Sequence, residues 1–194
     1  MNPVIILASN SPRRRELLTQ IGVSFRSDPA HVDECVLPGE LPEAYVLRVA
    51  LDKARVVATR TGSGIVIAAD TIVVLDDAIL GKPENDRDAE RMLTLLSGRM
   101  HRVITGIAII DAATGKSLTS TSITRVWFRE LARDEIQSYV KTGEPLDKAG
   151  AYGIQEKGAL LVDKIEGCYF NVVGLPLSLL GKMLRPFGMD FTRQ

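Results

Sequence analysis

The chain has 194 residues, of which 45% are hydrophobic, and its 24 basic side chains balance 24 acidic ones. This length predicts one domain over residues 1–194, and the neutral balance disfavours a nucleic-acid polymer as partner, because affinity for the phosphate backbone needs a basic excess. A run of about 18 apolar residues, as a membrane span requires, is absent, and residues 1–8 lack the basic start of a signal peptide, so we expect a cytoplasmic protein without membrane contact.

The first predicted strand and helix meet at residues 9–15, Ser-Asn-Ser-Pro-Arg-Arg-Arg. Ser11 suits the N-cap, Pro12 the first helical position and Gly22 the C-terminal end. Three arginines at the positive end of a helix dipole are unfavourable by up to about 1 kcal/mol each, so the pattern indicates a bound anion. Arg14 lies on the same helix face as the apolar residues and is predicted to point inward, toward a cleft.

Hydrophobic periodicity and turn residues predict the remaining elements. Helices are expected over residues 42–61, from a cap at Asn85 or Asp86 to Gly98, and over residues 134–141 and 176–184. Strands are expected over residues 65–75, in a short segment ending near residue 81, and over residues 103–110, 118–128, 151–155, 159–164 and 169–173. Mixed elements of this kind predict an α/β protein with a mixed sheet, and the connection lengths leave the strand order open.

Asp70 interrupts the apolar strand predicted over residues 65–75. A buried carboxylate without a partner is costly, so Asp70 either accepts hydrogen bonds from a turn or serves as a metal ligand or general base. If the two acids after this strand form a two-residue hairpin turn, positions whose numbers sum to 153 oppose each other. That register pairs Thr71 with Lys82 and places Lys82 beside Asp70.

Lys53 lies on the apolar face of its predicted helix, where an aliphatic residue would be natural. Its ammonium either reaches solvent or points inward, and the other inward polar residues favour the second interpretation. Glu34, in the polar loop over residues 27–40, supplies a second carboxylate besides Asp70. Two carboxylates suit Mg²⁺ or Mn²⁺ bound together with phosphate oxygens.

These residues together predict a site for a phosphate-rich ligand. The helix start supplies anion contacts, the cationic side chains neutralise phosphate, and the two carboxylates hold a metal. The candidates are Ser9, Ser11, Arg13, Arg14, Lys53 and Lys82 for the anion, and Glu34 and Asp70 for the metal. Neither a Walker A nor a GxGxxG sequence is present, which disfavours a P-loop NTPase and a Rossmann dehydrogenase.

Five segments, in this order, resemble the Maf family of nucleoside triphosphate pyrophosphatases. They are LASNSPRRRELL at residues 7–18, ADT at 69–71, GKP at 81–83, LSGR at 96–99 and EPLDKAGAYGIQ at 144–155. The match extends over about residues 4–185. The last segment is similar to the branch of the family that acts on dTTP and UTP rather than to the branch that acts on 7-methyl-GTP.

The resemblance implies an inosine-triphosphatase-like α/β fold, with an elongated, twisted mixed sheet flanked by helices and two lobes around a central cleft. It also implies a homodimer and metal-dependent hydrolysis of a nucleoside triphosphate to the monophosphate and pyrophosphate. By the resemblance Asp70 is the proton acceptor, and Arg13, Thr71 and Gln155 match the positions that set substrate choice. A glutamine amide suits this role because it offers a pyrimidine both a donor and an acceptor.

The resulting hypothesis is that Asp70, which with Glu34 holds the metal, activates a water that attacks the α-phosphorus. Arg14, Lys53 and Lys82 would then neutralise the charge of the outer phosphates. Three alternatives remain open from the sequence: a nucleotide-binding regulator of septum formation and cell division with incidental hydrolysis, a nucleotidyltransferase, and the 7-methyl-GTP branch.

Overall fold

The computed structural model describes residues 3–191, which fold into a mixed α/β arrangement of seven strands and six α-helices. The strands are β1 (Ile5–Leu7), β2 (Phe25–Ser27), β3 (Ile65–Leu75), β4 (Ala78–Leu80), β5 (Met100–Asp111), β6 (Ser117–Phe128) and β7 (Val162–Glu166). The helices are α1 (Pro12–Gln20), α2 (Pro42–Thr61), α3 (Asp86–Leu96), α4 (Arg133–Val140), α5 (Tyr169–Val173) and α6 (Leu177–Leu184). Within this range, none of the helices combines the length and apolar character needed to cross a membrane.

The strands form one mixed sheet in the order β2-β1-β3-β5-β6-β7, with β4 paired to β3. Strand β1 runs parallel to β2 and β3, whereas β4 is antiparallel to β3 and β7 is antiparallel to β6. The predicted α/β class and mixed sheet, flanked by helices, are confirmed. Strand β2 was not predicted, because its 3 residues are too few to show a hydrophobic alternation.

The described residues divide into two compact units. Unit 1 contains residues 3–70, 105–122 and 174–191, and unit 2 contains residues 71–104 and 123–173. Each unit has its own hydrophobic cluster. The site candidates therefore fall into two sets, with Asp70 in unit 1 and Thr71, the next residue of β3, in unit 2.

Unit 1 is built around helix α2, whose observed limits are those predicted. Its apolar stripe, including Ala50, Ala54 and Val57, is fully buried against β1, β3 and β5. Gly106 of β5 makes this packing possible, since a Cβ there would lie 2.4 Å from the carbonyl oxygen of Val46. A glycine thus lets the helix backbone approach the sheet directly.

Unit 2 contains the β3–β4 hairpin, whose predicted register is confirmed. Asp76 and Asp77 form the turn with φ angles of 47° and 71°, which a two-residue hairpin of this type requires. Val73 pairs with Leu80, so paired positions do sum to 153. The ladder ends at that pair, and the predicted pairing of Thr71 with Lys82 is not among the observed pairs.

Two strands predicted near the C-terminus, over residues 151–155 and 169–173, are wrong, and the strand predicted over residues 159–164 is confirmed only for residues 162–164. Residues 149–151 and 156–161 form 3-10 helices, only Val162–Glu166 is a strand, and residues 169–173 form helix α5. The φ angles of 66° at Gly150 and 58° at Ala151 interrupt any extended strand before residue 152. In α5 the buried Asn171 donates from Nδ2 to the carbonyl oxygen of Val103 at 2.9 Å, a contact that hydrophobic pattern alone does not reveal.

Candidate active site

The start of helix α1 joins two serines to an arginine in unit 1. Ser11 is the N-cap, and its Oγ accepts a hydrogen bond from the backbone N–H of Arg14 at 3.4 Å. The guanidinium of Arg14 donates from Nη1 to Oγ of Ser9 at 3.1 Å and from Nε to the carbonyl oxygen of Gly174 at 2.9 Å. These contacts fix the arginine beside the helix N-terminus. Arg13 is half-buried and Arg15 is exposed.

Lys53 stands between two carboxylates in unit 1. Its Nζ lies 2.8 Å from Oδ1 of Asp70 and 2.8 Å from Oε1 of Glu34. Lys53 is 9% exposed and Asp70 is 8% exposed, so the ammonium points inward rather than to solvent. Since burial strengthens each interaction, Lys53 holds Asp70 in one orientation through Oδ1, and within residues 3–191 no hydrogen bond occupies Oδ2.

Arg14 is electrostatically linked to the same two carboxylates. Burial lowers the pKa of Arg14, while the charges of Asp70 and Glu34 oppose that shift. The positive charge of Arg13 also lowers the pKa of Arg14, so the guanidinium lies among charges of both signs. An incoming anion would be attracted by Arg14 and Lys53 and by the N–H groups at the start of α1.

Tyr45 belongs to this cluster and was missed by the sequence analysis. Its hydroxyl donates to the backbone carbonyl oxygen of Glu34 at 2.8 Å and so fixes the loop that carries this acid. Burial first, then the charges of Asp70 and Glu34, raise the pKa of Tyr45. No sequence motif marks Tyr45, and a buried aromatic residue in a helix is typical of an ordinary core position.

The other three candidates belong to unit 2. Thr71 and Gln155 are half-buried, and Lys82 is exposed. The backbone links the segments of Lys82 and Gln155, because the N–H of Gly150 donates to the carbonyl oxygen of Gly81 at 2.9 Å. No larger residue fits at Gly150, where a Cβ would lie 2.8 Å from a methyl group of Val73.

Glu34 and Asp70 are also the predicted metal ligands, and their donor chemistry fits that role. Both carboxylates converge on one cation, the ammonium of Lys53, and oxygen donors are those that Mg²⁺ and Mn²⁺ prefer. Within residues 3–191 there is no cluster of three or more His, Cys, Asp or Glu side chains suited to a metal. A metal at this pair would therefore complete its coordination with water and substrate oxygens, as magnesium commonly does.

Comparison with known proteins places this chain in a family. A family model described as Maf-like protein matches residues 4–187. The chain belongs to the Maf family. Its curated relatives include proteins named dTTP/UTP pyrophosphatase from Syntrophomonas wolfei, Moorella thermoacetica and Clostridioides difficile. The first is 49% identical over 96% of this chain and 99% of its own length. The second is 52% identical over 96% of both chains, and the third is 50% identical over 94% of both.

Among solved structures, this member of the Maf family is similar to a HAM1 protein from Coxiella burnetii, with a TM-score of 0.49 and 19% identity. That similarity covers 66% of this chain and 73% of the other.

Proposed function

We propose that this Maf family member hydrolyses dTTP and UTP to the nucleoside monophosphate and pyrophosphate. The observation that carries the proposal is the cluster in which Lys53 contacts both Asp70 and Glu34 beside the anion-binding start of α1. A cluster of cations with a buried, oriented carboxylate suits phosphoryl transfer, where positioning and charge stabilisation dominate. Membership of the family and the printed names of relatives about 50% identical support the substrate class.

In this proposal Asp70 is the general base. Lys53 occupies Oδ1, so Oδ2 accepts the proton of a water whose oxygen attacks the α-phosphorus. The new bond joins that oxygen to the α-phosphorus, and the bond between the α-phosphorus and the bridging oxygen of the β-phosphate breaks. Pyrophosphate leaves with the electron pair, and the proton of the water remains on Asp70 until solvent removes it.

The cationic side chains bind and orient the triphosphate. Arg14, which donates to Ser9 and to the carbonyl oxygen of Gly174, presents its guanidinium to phosphate oxygens at the start of α1, and Ser9 and Ser11 border the same helix start. Lys53 and Lys82 neutralise charge on the leaving pyrophosphate. By the resemblance to the family, Arg13, Thr71 and Gln155 would set the choice of substrate.

Glu34 and Asp70 would hold the divalent metal that the family generally uses. When bound, it would supply positive charge to the phosphate oxygens. We extend the proposal to a cytoplasmic homodimer, on the resemblance to the family. Gel filtration with light scattering tests the assembly, and an expected mass of twice 21.2 kDa supports it.

The experiment that tests the function compares nucleotides in the absence of any acceptor. The purified chain is incubated separately with UTP, dTTP, CTP, GTP, ATP and 7-methyl-GTP, each with Mg²⁺ or Mn²⁺ or with EDTA. We expect equal amounts of monophosphate and pyrophosphate, with UTP and dTTP preferred. In water labelled with ¹⁸O, the label should enter the monophosphate.

Each competing function predicts a different product pattern. Binding without turnover indicates a regulator, and pyrophosphate released only with an acceptor indicates a nucleotidyltransferase. Preference for 7-methyl-GTP assigns the chain to the other branch. Release of orthophosphate, or ¹⁸O in pyrophosphate, would contradict attack at the α-phosphorus.

A further inference from the structure

The segment that carries Gln155 has no regular helix or strand of its own. Residues 152–155 lie between the 3-10 helices Ala149–Ala151 and Glu156–Leu161. Gln155 is half-buried, and its side-chain amide has no hydrogen-bond partner within residues 3–191. Hydrogen bonds weaken steeply when their geometry is distorted, so this amide can select a base only if its backbone is held in place.

A phenol and a carboxylate hold the backbone on both sides of Gln155. The hydroxyl of Tyr139 accepts from the backbone N–H of Gly153 at 3.3 Å and donates to Oε1 of Glu144 at 2.9 Å. The same Oε1 accepts from the backbone N–H of Gly158 at 3.0 Å. Gly153 and Gly158 flank Gln155 on either side. The pair formed by Tyr139 and Glu144 therefore ties the backbone before Gln155 to the backbone after it.

The packing leaves little freedom around these hydrogen bonds. Tyr139, at the end of α4, is 5% exposed. A Cβ at Gly158 would lie 2.0 Å from the carbonyl oxygen of Gly153 and 2.7 Å from the Tyr139 hydroxyl, so only glycine fits. Nζ of Lys148 donates to the backbone carbonyl oxygen of Glu144 at 2.6 Å and fixes the turn that presents the carboxylate.

The two side chains keep the roles of donor and acceptor near neutral pH. Burial, together with the neighbouring Glu144 carboxylate, raises the pKa of Tyr139, so its hydroxyl keeps the proton that it donates. One oxygen of Glu144 thus receives two hydrogen bonds, one from a side chain and one from the backbone. Shared acceptors of this kind couple the positions of their donors.

We propose that Tyr139 and Glu144 are positioning residues that set the base preference of the enzyme by holding the segment of Gln155. This inference rests on the proposed function, because it assigns the pair to base recognition in that same site. The pair acts through Gln155 and not on the phosphates. Its loss should therefore change KM and base preference much more than kcat.

Four variants separate positioning from general stability. Tyr139→Phe removes the hydroxyl and keeps the packed ring, and Glu144→Ala removes the acceptor. Glu144→Gln is the conservative rescue, because its amide oxygen accepts the same hydrogen bonds without charge. Ser138→Ala is the matched control: it deletes a hydroxyl from the same helix, where Oγ donates to the carbonyl oxygen of Asp134 at 2.7 Å.

The measurements are steady-state kinetics with UTP, dTTP and CTP, and calorimetric binding of the α,β-methylene analogues of UTP and CTP. For Tyr139→Phe and Glu144→Ala we expect KM for UTP and dTTP to rise and the kcat/KM ratio of UTP over CTP to fall about tenfold, with kcat within about twofold. The binding ratio of the two analogues should fall in parallel. Glu144→Gln and Ser138→Ala should behave like the wild type.

Several outcomes overturn the inference. An unchanged UTP-to-CTP ratio in Tyr139→Phe does so, as does an equal loss of kcat with all nucleotides, which indicates a merely structural role. Impairment of Glu144→Gln as large as that of Glu144→Ala also contradicts it. Binding of the analogues keeps this test separate from the test of the proposed function. If the wild-type protein binds the UTP analogue but does not hydrolyse UTP, hydrolysis is refuted, and the analogue affinities of the variants still test positioning. Wild-type protein that binds neither analogue refutes both.

Discussion

The ammonium nitrogen of Lys53 lies 2.8 Å from Oδ1 of Asp70, and both side chains are about nine-tenths buried. A buried ion pair of this kind is not a strong source of stability, because desolvation offsets much of the attraction. Its value here is orientation, since Lys53 contacts Oδ1 of Asp70 and also Glu34, and Oδ2 of Asp70 has no hydrogen-bond partner among residues 3–191. The pair therefore allows its catalytic and structural roles to be tested separately.

Asp70→Asn should abolish the general base while keeping the fold. The amide retains the shape of the side chain but does not accept the proton of water, so we expect kcat to fall about 10²- to 10⁴-fold. Binding of α,β-methylene UTP, measured by calorimetry, should persist. Asp52→Asn, at a half-buried acid on α2, is the matched control and should keep wild-type kcat. Full activity of Asp70→Asn would remove Asp70 from the mechanism.

Lys53→Met should destabilise the protein, because it leaves the buried carboxylate of Asp70 without its cation. Breaking a buried pair from one side costs about 3–5 kcal/mol, and urea unfolding in EDTA measures the loss. The double variant Lys53→Met, Asp70→Asn should be more stable than the sum of the single effects predicts, by about 1–3 kcal/mol. Lys182→Met, at an exposed lysine of α6, should change the unfolding free energy by less than about 0.5 kcal/mol. Additive losses would show that the contact contributes nothing.

Arg14→Ala should weaken nucleotide binding, whereas Arg15→Ala should not. Arg14 is held by Ser9 and Gly174 at the helix start, and Arg15 is exposed. Charge-assisted hydrogen bonds to phosphate contribute about 1.5–3 kcal/mol, so we expect KM for UTP to rise roughly tenfold or more in Arg14→Ala. Arg15→Ala should stay within about twofold. Equal increases of KM in the two variants would mean that nucleotide binding depends on the total positive charge of this helix start and not on the position of Arg14.

The sequence predicted the elements in which local signals agree. Helix α2 has its predicted limits because an apolar stripe, Pro42 at the start and Gly62 at the end all coincide, with Gly62 in the left-handed region at a φ of 67°. The hairpin register followed from the two-residue turn after Leu75. The place of Lys53 on the apolar stripe left two directions open, and the other inward polar residues favoured the inward one. Its contact with Glu34 was not predicted, since loop geometry carries no periodicity.

The failures near residues 149–161 have a physical cause. Apolar residues alternate with glycine there, which favours a strand interpretation, but the chain turns tightly instead. Gly158 packs against the carbonyl oxygen of Gly153, and the N–H groups of these glycines bond to Glu144 and Tyr139 rather than to a strand. The side chains of Tyr139 and Glu144 thus accept the backbone hydrogen bonds that a neighbouring strand would otherwise accept. No local sequence pattern predicts such contacts.

His101 should make the stability of the protein depend on pH. It is 1% exposed, its Nε2 lies 2.7 Å from the Tyr152 hydroxyl, and its ring packs edge to face with Phe128 and Tyr152. Burial lowers the pKa of His101 from 6.5 to about 4. The unfolded chain therefore takes up a proton first as the pH falls. The contribution of His101 is complete above pH 6.5 and is lost progressively as the pH approaches 4.

Urea unfolding between pH 7.5 and pH 5 tests this linkage. A shift of this size predicts a loss of about 2 kcal/mol for the wild type at pH 5, relative to pH 7.5. His101→Gln should be less stable at pH 7.5, because the ring contacts are lost, but its stability should change by about 2 kcal/mol less over the same range. His31→Gln, at the exposed second histidine, should keep the wild-type slope. If His101→Gln keeps the wild-type slope as well, the pH dependence arises elsewhere, and the buried ring is not the group that titrates.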